Sequence, residues 1–282
     1  MTGPVGKMLA DGRRLHLQHG PIDLIIEAWG PTDAVTRAYR QAAKRFETVL
    51  DELVDELPAL RKPGADTWFA GDIARRMRTA VAPHTETFIT PMAAVAGAVA
   101  DEVLAAMIRD QNLEKAYVNN GGDIALHLSP GASFDVGMVT SHVVDGRLTL
   151  TYPDPVRGVA TSGRGGRSLS FGIADAVTVL APNAAAADAA ATLIANQVDV
   201  PGCTAIARAP ARDLDPDSDL GGRLVTIAVG PLRDAEVDRA LAAGGRAAEG
   251  MAARGLIHAA ALSLNGRFRF AGYANEQEAL YA

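Results

Sequence analysis

Two Asx-Gly dipeptides set the tightest limits on how this chain can fold. Asp145-Gly146 stands between the strand-like runs 135–144 and 147–152, and Asn265-Gly266 between 259–264 and 267–273. Asx-Gly supplies the positive φ angles of a type I′ turn, and a two-residue turn of that kind joins neighbouring antiparallel strands. A further pair of extended runs, 13–18 and 22–29, is separated by His19-Gly20-Pro21 and predicts an opening hairpin. Hairpins near the start, middle and end of the chain argue against a parallel, doubly wound sheet.

Between these hairpins the period changes from two to three or four. Val35, Tyr39, Ala42, Phe46, Val49, Leu53 and Leu57 recur as one buried helical stripe, with Glu and Arg on the other face. Lys62-Pro63-Gly64 breaks that helix, and a second is expected over 72–81. A short strand at 88–90, a helix over 93–109, and strands at 116–120 and 123–128 follow, the last two parted by Gly121-Gly122. Then come a buried-type strand at 177–181 and an Ala-rich helix capped by Asn183 and running to about 195. Strands at 204–207 and 224–229 and a helix over 234–254 complete the pattern. The expectation is an α+β fold over residues 1–282: a mixed or antiparallel sheet with hairpins and packed helices, in one domain.

Composition removes several function classes. Apolar residues make up 48% of the 282 and charged residues 21%, a globular balance. A net charge of -6 without any dense Lys/Arg tract argues against a nucleic-acid partner. Cys203 is the one cysteine, which excludes an intrachain disulfide and a multi-cysteine zinc site. Residues 1–11 lack the apolar core of a signal peptide, and Asp, Arg and Glu interrupt the Ala-rich stretches, so no transmembrane span is expected. The reading is a soluble, cytoplasmic chain whose partner is a small-molecule ligand, with no membrane partner and homo-oligomerisation left open.

Three segments have the residue types of a ligand site. In Asn119-Asn120-Gly121-Gly122-Asp123 the glycines let backbone amides approach a phosphate or a flat ring. The Asn amides both donate and accept there, and Asp123 can orient a ring nitrogen or ribose. In Thr161-Ser162-Gly163, followed by Arg164, Gly165-Gly166 and Arg167, hydroxyls, free amides and guanidinium groups suit an anion. Asp188 and Thr192 sit four residues apart on one helix face, an oxygen pair suited to Mg²⁺. Taken singly, each segment also reads as ordinary structure: a tight turn, a surface loop, and an exposed Asp with a packed Thr. The acidic run Asp213, Asp215, Asp217 and Asp219 lacks the Gly and distal Glu of an EF-hand and reads as a solvated turn. The six histidines show no metal-ligand spacing; His84 and His142, in polar surroundings, are the two to watch.

In this order the segments resemble ApbE-like proteins, the FAD:protein FMN transferase superfamily. The matching pieces are Ala96-Gly97-Ala98-Val99-Ala100-Asp101, Val118 to Ile124, Ala160 to Gly163, Val177-Thr178-Val179, and Ala187-Asp188 through Thr192. Thr90 to Gly97 and Ser218-Asp219-Leu220-Gly221 are assigned to a cytosolic branch of that superfamily. The resemblance implies that the Asn119–Asp123 and Thr161–Gly163 segments line a cofactor pocket. It also implies that Asp188 and Thr192 hold Mg²⁺ with a backbone carbonyl near Ala93. The cofactor implied is FAD or a pterin-like ligand, within cofactor metabolism of the one-carbon, tetrahydromethanopterin type. Two departures are plain. The lysine before the family's glycine is Ala96 here, and the histidine-containing SHIIDPRTG element is reduced to Ser170-Phe171-Gly172-Ile173-Ala174-Asp175. FMN transfer to a protein threonine is therefore not expected. A Mg²⁺-dependent FAD-using flavin transferase and a non-catalytic flavin carrier or assembly partner stand as the alternatives.

Overall fold

Turn chemistry along the chain assembles nine strands into one sheet in which every neighbouring pair is antiparallel. The computed structural model describes residues 3–64, 67–140, 143–166 and 168–272. The sheet runs β1 (Val5–Met8), β2 (Leu15–His19), β3 (Ile22–Trp29), β4 (Lys115–Asn120), β5 (Asp123–Leu128), β8 (Gly158–Ser162), β9 (Ala176–Ala181), β12 (Ala259–Leu264) and β13 (Arg267–Gly272). Strands β6 (Ser133–Thr140) and β7 (Val143–Thr151) form a separate hairpin, as do β10 (Ile206–Pro210) and β11 (Leu224–Val229). The helices are α1 (Thr32–Leu60), α2 (Asp72–Val81), α3 (Val95–Ile108), α4 (Ala184–Gln197), α5 (Ala211–Leu214) and α6 (Asp234–Ala253). The fold is α+β.

Alternating side chains give the sheet two apolar faces. Ala116, Val118, Ala125, Ala160, Val177, Val179 and Leu262 point into the main core with Phe46, Val99, Val103, Leu193 and Ile194 of the helices. Alanine on the central strands lets α3 and α4 sit close to the sheet. On the opposite face Leu126, Leu128, Val159 and Leu180 are covered by Val136 and Leu150 of the β6–β7 hairpin.

Asn265-Gly266 turns as expected, with φ of 51° and 75° between the paired Leu264 and Arg267. Asp145-Gly146 does not. The β6–β7 register pairs Thr140 with Val143, so the connection falls at 141–142, outside the described residues, and Asp145 is the extra residue at a register shift. A turn at 145–146 would have set Asp135 and Gly137 on the face of Leu148 and Leu150. The observed pairing sets Phe134 and Val136 there. Burial of one face outweighs local turn preference when a one-residue slip exchanges the faces. The expected strand at 88–90 is also absent: Pro91 begins a 3₁₀ turn, Pro91–Ala94, that runs into α3. Together Pro91–Ile108 form an 18-residue stretch of mean hydropathy 1.6, long and apolar enough to cross a membrane, contrary to the expectation from sequence. Here it packs between the sheet, α1 and α4 as a core helix.

Candidate functional site

The Gly121-Gly122 dipeptide closes a two-residue hairpin between Asn120 and Asp123, with φ of 65° and 114°. Both angles are positive, which a side chain would resist, so glycine is dictated here by the turn itself. Asn119 braces it, its Oδ1 accepting the Gly122 amide at 2.8 Å. Asn120 and Asp123 share the helix side of the sheet with Val118 and Ala125, whereas Asn119 points to the other side. Asn120 is buried, and its Nδ2 donates to the Ala96 carbonyl at 3.1 Å, tying the turn to the start of α3.

At that point α3 and α4 touch backbone to backbone. A Cβ on Gly97 would lie 2.2 Å from the Ala184 carbonyl oxygen, so only glycine fits. Each helix there caps the other. The Asp101 carboxylate of α3 accepts the Ala184 and Ala185 amides of α4 at 3.0 and 2.9 Å, beside the local Asn183 cap on Ala186. In return Asp188 Oδ2 of α4 accepts the Gly97 amide of α3 at 3.0 Å, and α3 has no side-chain cap of its own. Amides at a helix start lack intrahelical partners, and a carboxylate there also meets the positive end of the helix dipole. Despite this, burial pushes the Asp101 carboxyl up to about 6. Asp188 is raised well above the carboxylate range, first by burial and then by the Asp123 carboxylate. The amides of Gly97 and Ala96 pull the other way. Two carboxylates thus converge where the Gly-Gly turn meets two helix starts, which is how a site for a cation, or for a pair of N–H donors, presents itself.

The Thr161–Gly163 segment lies alongside. Strand β8 pairs with β5 through Ile124 and Val159, so continuing the register brings Thr161 beside Gly122. The segment divides between the faces. Ser162 follows Ala160 onto the helix side. Thr161 points to the other side, with its hydroxyl 2.9 Å from that of Thr178. Gly163 has a φ of 151° and passes so close to Asp175 that a Cβ would lie 2.6 Å from its carbonyl oxygen. Arg164 pairs with the Asp175 carboxylate at 3.0 and 2.7 Å, so its charge is already matched within the fold; Arg167 lies outside the described residues. The structure therefore places Asn120, Gly121, Gly122, Asp123 and Asp188 together at one end of the sheet, with Ser162 and Gly163 at the same end of the neighbouring β8. The side chains of Asn119 and Thr161 lie on the opposite face. Thr192 is partly buried one turn further along α4.

Two features were not read from sequence. Asp101 lay inside the matched segment 96–101, but nothing in that segment points to Ala184 or Ala185. Thr90, buried just before Pro91, donates its hydroxyl to Asp219 across 129 residues, joining the two segments assigned to one branch. No local pattern reveals such a contact. Of the rest of the acidic run, Asp213 lies in α5 and Asp215 to Asp217 form a turn, with Asp215 accepting the Asp217 amide at 3.0 Å. Among the described residues no group of three or more His, Cys, Asp or Glu side chains is arranged to hold a metal. His84 is buried, and burial together with Arg254 lowers its basicity; the side chain of His142 lies outside what is described.

The family model described as "AbpE bacteria" matches residues 6–270. The chain belongs to this family. Membership upholds the ApbE-like resemblance read from the Gly97, Gly121-Gly122-Asp123 and Asp188 segments. Curated relatives of this chain are UPF0280 proteins. That of Methanopyrus kandleri is 37% identical over 160 residues, covering 55% of this chain and 63% of the relative. That of Archaeoglobus fulgidus is 36% identical over 169 residues, covering 57% and 66%. That of Methanosphaerula palustris is 43% identical over 112 residues, covering 39% and 47%. The chain thus spans less than two thirds of the length of each of these relatives. Among solved structures it is similar to a variant of the flavin transferase ApbE from Vibrio cholerae. That match has 12% identity and a TM-score of 0.48, covering 95% of this chain and 97% of the other.

Proposed function

We propose that this protein binds a flavin- or pterin-like cofactor, or its precursor, at the junction of the Gly121-Gly122 turn with the starts of α3 and α4. The observation that carries the reading is Asp188, a half-buried carboxylate facing a second carboxylate, Asp123, with backbone amides on its other side. Carboxylates with perturbed acidity that converge beside a Gly-Gly turn are a common mark of a functional site, and their oxygens suit a hard cation or the N–H groups of a ligand. Mg²⁺ fits this donor set: Asp188 and Asp123, with the Thr192 hydroxyl one turn away, are hard oxygen donors. With few protein ligands, the ion would keep positions for water or for the oxygens of a ligand phosphate. Its chemistry there would be neutralisation of phosphate charge. The Gly121-Gly122 turn, free of Cβ atoms and held against Ala96 by Asn120, would then let the ligand approach the backbone closely.

The setting proposed is cytoplasmic cofactor metabolism of the one-carbon, tetrahydromethanopterin type, with a small molecule as partner and neither nucleic acid nor membrane. Family membership supports the flavin-related class. The shortened 170–175 element favours binding or processing of the cofactor over FMN transfer to protein. Equilibrium dialysis of the purified protein against FAD, FMN and pterin, with and without Mg²⁺, tests the proposal. Mg²⁺-dependent binding of at least one of them is expected, weakened in Asp188→Asn. Binding of none of them with Mg²⁺ present would overturn it.

A further inference from the structure

Phe88 lies in the segment leading to Thr90 and α3, and the Arg223 guanidinium sits 3.4 Å above its ring centroid. That is the separation of stacked planar groups. Arg223 is exposed and makes no ion pair with a carboxylate among the described residues, so this ring is what holds it. Phe171 stands 6.4 Å from Phe88 at a 53° tilt. Its own loop is fixed, with the Phe171 amide on Asn196 Oδ1 at 2.9 Å and its carbonyl accepting from Arg208. Beside Phe88 opens a cavity of about 260 Å³ lined by Pro63, Val81, Thr85 and Ile89, near the lower end for small-molecule sites. Arg223 belongs to the loop that Asp219 fastens to Thr90, two residues from Phe88.

We infer that Phe88 is the stacking platform for the planar ring of the ligand, and that Arg223 occupies the ring's place until the ligand arrives. This rests on the flavin or pterin reading above. A planar, delocalised guanidinium and a heteroaromatic ring use the same face of a phenyl group. The ring offers more contact area and costs no carboxylate partner when Arg223 leaves. One stretch, Phe88 to Gly97, then carries both the ring platform and the amide that meets Asp188.

Two probes separate the halves of this picture: riboflavin, a planar ring without phosphate, read by quenching of its fluorescence, and Mg²⁺ with inorganic pyrophosphate, read by calorimetry. A parallel titration with pterin distinguishes the two ring classes. Phe88→Ala should weaken riboflavin or pterin binding by about tenfold or more, while Phe88→Tyr retains it. Arg223→Ala should strengthen it severalfold, and Asp188→Asn should lose Mg²⁺–pyrophosphate binding. If Phe88→Ala fails to fold, Phe88→Tyr and Arg223→Ala carry the test. No ring binding in the wild type and in Arg223→Ala, or binding indifferent to Phe88, overturns the platform, and pyrophosphate binding lost in Asp188→Asn would then leave the cation site standing alone. Ring binding that depends on Phe88 without any Mg²⁺–pyrophosphate binding supports the platform and removes the cation.

Discussion

Asp101 is predicted to lower the stability of the fold at neutral pH while making two good hydrogen bonds. Its carboxyl is raised from 3.8 to about 6 because burial outweighs the Ala184 and Ala185 amides and the nearby Arg76 charge. That displacement corresponds to about 3 kcal/mol. The folded protein holds this proton more tightly than the unfolded chain does. The contribution of Asp101 to stability therefore falls as pH rises from about 4 to about 6, and the full cost stands above that window. Asp101→Asn removes the charge and keeps one carbonyl oxygen for one amide; the other amide loses its partner, at about 1 kcal/mol. The net expectation is a variant about 1–2 kcal/mol more stable at pH 7.5. Urea unfolding of both proteins at pH 4.5, 5.5, 6.5 and 7.5 measures it, and the wild-type-minus-variant difference isolates Asp101 from other carboxylates. A variant less stable at pH 7.5, with a difference that does not change across the window, would refute the reasoning and make the carboxylate a net stabilising cap.

Asp188→Asn should likewise be tolerated or stabilising at neutral pH, since it relieves the repulsion from Asp123, yet should weaken Mg²⁺-dependent ligand binding more than Thr192→Val does; paired chemical melts and dialysis report both effects. Gly97→Ala places a methyl 2.2 Å from the Ala184 oxygen and should cost about 3 kcal/mol in a melt, with α3 and α4 forced apart. Gly266→Ala should cost about 1 kcal/mol, because φ is 75° there but no atom lies within 4 Å, so the effect is backbone strain alone. Incubation with FAD, Mg²⁺ and a flavinylation acceptor should give no flavin-mass adduct, and a robust adduct would return transferase chemistry to first place.

What the sequence made legible follows from the range of the forces involved. The Asn265-Gly266 turn, the Asn183 cap and the helices at 72–81 and 234–253 are local, and the residues that set them lie within a few positions. The Asp145-Gly146 turn was misread because its local preference opposed a non-local one, the burial of Phe134, Val136 and Leu150 on a shared face. At the site, the Gly121-Gly122 turn between two strands was foreseen, but not the division of Asn119 and Thr161 from their neighbours, because strand alternation depends on where each strand begins. Contacts such as Asp101 with Ala184, Thr90 with Asp219 and Arg223 with Phe88 join residues far apart and leave no trace in composition or spacing.

The mutual capping of α3 and α4 also bears on the order in which the molecule folds. The bonds that finish the two helix starts span 83, 84 and 91 residues, so neither start is complete while the helices are apart. Each is 14 residues long, a length at which an isolated helix is marginal in water. Their first turns should therefore consolidate together and late, after the intervening strands have brought them into contact. Asp188 and the Gly121-Gly122 turn, proposed to hold the cation, sit at that junction. The binding site and the last long-range closure of the fold are thus one event, and a chain that has not finished folding has no partial site to offer.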